Sequence, residues 1–146
     1  MLRHGLLPAE GSEPGAASHP AAELEDGILR LEWDATLRTR VTRLTGRQRT
    51  ILTSWGPSEY LLDDDGRHVT DFPLRNKAQS DITDGNGPGT RLTLTGMSAG
   101  GIEKAVTVTL YQRHPGIALV RATYRNTTAN ILTLRGWTNG DLRLLA

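Results

Sequence analysis

The sequence predicts an all-β fold, an antiparallel β-sandwich, and three observations lead there. Between Ile102 and Leu145 three segments with a hydropathy period of two follow one another, separated only by turn-sized gaps. Short apolar runs earlier in the chain are punctuated repeatedly by Gly, Pro, Asn and Asp clusters. No stretch carries the i, i+3, i+4 spacing of an amphipathic helix.

Met1 to about Asp26 reads as a flexible tail, with Pro8, Pro14, Pro20, Gly5, Gly11 and Gly15 among alanines and acidic residues and no period of either kind. The β-sandwich domain is expected over residues 27–146. Leu29, Leu31 and Trp33 alternate with Arg30 and Glu32 in a first strand, Leu37–Leu44 forms a second, and Ile51–Trp55 a short third that Gly56-Pro57 ends. Tyr60-Leu61-Leu62 and His68–Phe72 make a hairpin whose tip is Asp63-Asp64-Asp65-Gly66, and Pro73 terminates it. Gln79–Thr83 and Thr90–Thr95 flank the turn Asp84–Gly89. Ile102, Lys104, Val106, Val108 and Leu110 share one face of the next strand, and Ala118, Val120, Ala122 and Tyr124 share one face of the strand after it. Ile131–Trp137 continues the meander and Asp141–Leu145 is a last strand. One face of such a meander packs on a core and the other meets water.

At 146 residues the chain is long enough to bury a core without covalent staples, and with no cysteine it has no disulfide, thiol nucleophile or thiolate metal site. A formal net charge of +1 supplies no whole-molecule field toward nucleic acid or an anionic membrane. No apolar run approaches the ~20 residues of a membrane-spanning helix. Leu6-Leu7 is too short for the apolar region of a signal peptide, which leaves no export signal and the cytoplasm as the default compartment.

Several motifs invite chemistry and fail on context. Gly96-Met97-Ser98-Ala99-Gly100 fits the G-x-S-x-G elbow of α/β-hydrolases, but the segment after it alternates like a strand and His114 precedes Asp141, the reverse of the required order. A hairpin turn accounts for it better. Gly85, Gly87 and Gly89 lack the helix that a phosphate cradle opens. The acidic tip Asp63–Gly66 lacks the spaced ligands of a calcium loop, and His4, His19, His68 and His114 have no zinc spacing, so no metal site is assigned. Asn126-Thr127-Thr128 fits the N-glycosylation acceptor pattern. Arg38, Arg40, Arg43, Arg47 and Arg49 form the densest basic cluster, with Arg38 and Arg40 of one parity; without a platform of successive aromatics they read as a solvated face, not a nucleic-acid surface. Trp33, Trp55 and Trp137 read first as packing residues and second as sugar platforms.

The words of the sequence carry a resemblance. Ser58-Glu59-Tyr60-Leu61-Leu62, followed by Gly66-Arg67-His68-Val69-Thr70-Asp71-Phe72-Pro73-Leu74, resembles a stretch in the N-terminal domain of bacterial α-galactosidase-like proteins of the melibiase group, glycoside hydrolase family thirty-six. Leu92–Gly96, Gly101–Lys104, Leu110-Tyr111 with Pro115-Gly116 and Ala118, Tyr124 with Asn126-Thr127, and Gly136–Asn139 follow in the family's order. The resemblance spans about Gly27 to Ala146. It implies a galactose-mutarotase-like β-supersandwich, incomplete here, that precedes and packs on a catalytic (β/α)₈ barrel. A barrel takes about 250 residues, so both carboxylates of the retaining mechanism lie outside this chain and no catalytic residue is assigned. Related epimerases pair His and Glu in a cleft, and His68, His114, Glu59 and Glu103 show no such pattern.

The expected function is therefore a non-catalytic accessory domain of an α-galactosidase-like glycoside hydrolase, without a cofactor and with the barrel as partner. The alternative is a free-standing carbohydrate-binding module, with Trp137 and Asn139 as carbohydrate-contacting residues. A fragment of a larger sheet would leave an uncovered apolar face, for which Val106, Val108, Leu119 and Leu134 are candidates, and would self-associate.

Overall fold

The computed structural model describes residues 19–146. Eleven strands and no helix make up these residues, and every strand pairing is antiparallel. β1 (Ala22–Glu25), β2 (Leu29–Trp33), β3 (Thr39–Thr45) and β4 (Gln48–Ile51) form one four-stranded meander. β7 (Leu74–Asp84), β8 (Gly87–Met97), β9 (Ile102–Tyr111) and β10 (Ala118–Asn126) form a second, with β10 at one edge and β7 at the other. A three-stranded sheet in the order β11-β5-β6 combines β5 (Glu59–Asp63), β6 (His68–Val69) and β11 (Leu134–Asn139).

Alternation builds the core. Register places Leu94, Val106 and Ala122 in one cross-strand row and Leu92, Val108 and Val120 in the next, all on one face of the second meander. Against that face pack Ala22, Leu24, Leu31 and Trp33 from the first sheet, Leu61 from the small sheet, and Phe72. Burying each large apolar side chain contributes about 1.5–3 kcal/mol. A third row reads Gly96, Lys104, Tyr124. A Cβ at Gly96 would strike the Phe72 carbonyl oxygen and the Leu37 side chain, so glycine admits that backbone to the layer.

Polar groups tie the layers at the ends of strands. Asp26 Oδ1 accepts the Ile28 and Leu29 amides at 2.9 and 2.8 Å, and Oδ2 accepts the Gly116 amide at 2.6 Å from the β9–β10 turn. Burial works against ionising that carboxyl, but the three amides together hold it below its ordinary range. Asp34 Oδ1 takes the Thr36 and Arg38 amides, a turn that puts the buried Leu37 at φ 61°. A left-handed leucine is costly, and its burial offsets the cost.

Several expectations need correction. The tail does not extend to Asp26: Ala22–Glu25 is β1, paired along its length with β2, because Ala22 and Leu24 alternate with Glu23 and Glu25 and reach the core. Residues 1–18 of the expected tail lie outside the described residues. The second expected strand begins at Thr39, since Leu37 belongs to the Asp34 turn. The strand expected at Ile51–Trp55 is instead β4, Gln48–Ile51, an exposed ribbon with little apolar signal. Asp141–Leu145 forms only an isolated bridge, Leu144 to Thr53. The third segment of the meander leaves its sheet: Asn126 closes a turn by accepting the Thr128 amide and donating to the Asn130 carbonyl, and β11 then pairs with β5. Val106 and Val108 are fully buried and so are not part of an uncovered face, whereas Leu119 and Leu134 are exposed.

Candidate functional site

β11 lies beside β5 in register, with Trp137 opposite Leu61 and Asn139 opposite Glu59. Paired residues of antiparallel strands project to the same side. Leu61 is 2% exposed and Glu59 is buried, so Trp137 and Asn139 occupy the core-facing side of their sheet. Trp137 is nevertheless 76% exposed. The opposing meander has β10 as its edge strand, and β10 and β11 face each other across an open cleft instead of packing together.

This cleft measures about 310 Å³ and is lined by Leu61, Ala122, Tyr124, Leu134, Trp137 and Asn139. The two residues assigned to sugar contact from sequence are thus neighbours on one wall, with β10 as the other. Below the cleft lies a group that motif reading missed. Lys104 Nζ is fully buried, donates to the Glu59 carbonyl at 2.6 Å and sits 3.4 Å from Glu59 Oε2. The same ammonium is 5.3 Å from the centre of the Phe72 ring, and Phe72 in turn packs on Tyr124. Burial lowers the Lys104 pKa, while the Glu59 carboxylate opposes the shift. The Tyr124 hydroxyl is buried without a hydrogen-bond partner, and burial, then Glu59, raises its pKa. A signal existed, because Lys104 stands on the same strand face as Ile102, Val106, Val108 and Leu110, where a lysine requires a partner.

The remaining motifs resolve into local structure. Ser98 is buried in the β8–β9 hairpin, where its Oγ accepts the Ile102 amide at 3.0 Å. Asp84 Oδ1 takes the Asn86 amide inside the glycine-rich β7–β8 turn. The carboxylates of Asp63, Asp64 and Asp65 lie within 4.8 Å of one another at an exposed tip, where Asp63 accepts the Arg67 amide and Asp65 pairs with Arg67. Arg40 does not face solvent with Arg38. It makes a two-pronged bond to Glu32 at 2.9 and 3.0 Å, while Arg38 lies before β3 and faces Asp71 at 3.6 Å. Glu59 and His68 diverge, one toward Lys104 and the other stacked on Tyr60.

The chain matches no protein-family model and no curated protein.

Proposed function

We propose that this chain is the N-terminal accessory β-sandwich of an α-galactosidase-like glycoside hydrolase, docking on a catalytic (β/α)₈ barrel through the β10–β11 cleft. The observation that carries the docking is Trp137, a core-facing side chain that its own sandwich leaves open. It does not stand alone. Leu134, also exposed, lines the same cleft, so two large apolar side chains open onto one surface, as at an interaction site. The catalytic carboxylates belong to the barrel in this reading, so the chain itself is not an enzyme.

The test joins two measurements on purified protein. Hydrolysis of a nitrophenyl α-galactoside is expected not to track the protein through purification. A hydrophobic dye is expected to bind, and a Leu134→Ser, Trp137→Ser double variant to lose most of that signal. Turnover that rises with purity would overturn the reading, as would a wild-type chain that leaves the dye dark.

One observation favours the second reading, a carbohydrate-binding module. Trp137 and Asn139 stand two residues apart on one strand face and line one cleft, an aromatic surface beside an amide. Saturable binding of an oligosaccharide that Trp137→Ala abolishes would put this reading first.

A further inference from the structure

On the other face of β5 a second, more enclosed cavity is built from different residues. Alternation turns Tyr60 away from Glu59 and Leu61, and Tyr60 lines a pocket of about 220 Å³ with Trp55, His68, Asp141 and Arg143. We propose that this pocket binds a single neutral pyranose ring.

Its walls are fixed before any ligand arrives. Glu32 holds the Arg40 guanidinium by two hydrogen bonds, and that guanidinium lies 4.5 Å from the centre of the Trp55 ring. Trp55 is thereby backed by a planar cation and held as a wall of the cavity. Tyr60 is held in the same way. Its ring stacks on His68 at 4.8 Å between centroids, and its hydroxyl donates to Asp141 Oδ2 at 3.0 Å. Asp141 is anchored in turn through its amide, which donates to the Ser58 carbonyl at 2.9 Å.

Size and charge select the ligand. The volume lies below the ~300–1,000 Å³ of sites for drug-sized molecules, which favours one ring over an oligosaccharide. Asp141 and Arg143 bring opposite charges, and Glu32 already pairs Arg40, so the lining favours no net charge in its occupant. A pyranose matches what remains. Its apolar C–H face fits Trp55, and its hydroxyls can donate to Asp141 Oδ1 and accept from Arg143. The site shares no residue with the β10–β11 cleft, so it stands or falls separately from the docking reading.

Methyl α-D-galactoside and methyl α-D-glucoside titrated into the full chain, followed by amide chemical shifts, test the proposal. At least one is expected to shift the Trp55, Gly56, His68 and Asp141 amides saturably. Trp55→Ala should weaken that binding about tenfold or more, while Trp137→Ala leaves it within about twofold. Asp141→Asn keeps an oxygen for Tyr60 and should still weaken binding, which covers the case in which Trp55→Ala fails to fold. Absence of saturable shifts with either glycoside overturns the proposal. Shifts confined to the Trp137 cleft, or binding indifferent to both Trp55→Ala and Asp141→Asn, overturn it equally.

Discussion

Lys104 is the residue on which the interior depends most unequally. An ammonium and a carboxylate inside a sandwich are tolerable only together, because each alone would keep the desolvation cost without the attraction that offsets it. Lys104→Met should therefore cost about 3–5 kcal/mol, since it strands the Glu59 carboxylate and removes the donor to the Glu59 carbonyl. Adding Glu59→Gln removes the stranded charge and should restore a large part of that loss. Urea denaturation of the two single variants and the double variant measures the coupling. Losses that simply add would show that the two groups do not depend on each other. Part of this was legible in advance: a lysine sharing parity with Ile102, Val106, Val108 and Leu110 announces a buried cation. Glu59 was not legible as its partner, because the two are 45 residues apart and only the packing of β5 over β9 joins them.

At the scale of elements, strands with two informative faces were read well and strands with one were not. β9 and β10 alternate cleanly and fall close to where periodicity put them, whereas β8, expected at Thr90–Thr95, runs from Gly87 to Met97 through residues assigned to the turn. β1 was missed because four residues among prolines and alanines hold too little pattern to stand out, and its case rests on tertiary contacts. Ala22 and Leu24 enter the core, Lys77 Nζ of β7 donates to the Ala21 carbonyl at 3.1 Å, and Asp26 accepts from the β9–β10 turn. A chain beginning at Gly27 should then melt on the order of 5–10 °C below one beginning at His19, the lost apolar burial and amide bonds together accounting for a few kcal/mol. Calorimetry on the two truncations decides it. Equal midpoints would mean that β1 adds nothing to the sandwich. The destination of β11 was illegible for another reason: alternation identifies a strand but not its neighbour. The Asn126 turn that sends it to β5 depends on side-chain hydrogen bonds that hydropathy does not encode.

For the whole molecule, the consequence lies in the open cleft between β10 and β11. β10 keeps one ladder of backbone groups unpaired along nine residues, and across the cleft from it β11 leaves Trp137 open on its core-facing side. The edge carries some protection, since Arg121 and Arg125 stand on the outward face of β10, Arg125 paired with Glu103 of β9, and charges there discourage uncontrolled pairing. Leu119 on the same outward face and Leu134 across the cleft work in the opposite direction, both being exposed. Docking a partner would cover the cleft and the open edge together, and without one a second copy of the chain is the available surface. The isolated chain should therefore self-associate as its concentration rises, with a sedimentation coefficient that climbs with loading. Leu119→Lys adds a third charge to the edge without touching the core and should move that curve toward the monomer, whereas Ile51→Lys, on exposed β4 in the other meander, should leave it unchanged. A wild-type chain that stays monomeric at high concentration would mean that the cleft needs no cover, and Trp137 would then be better explained as a surface for sugar than as a surface for protein.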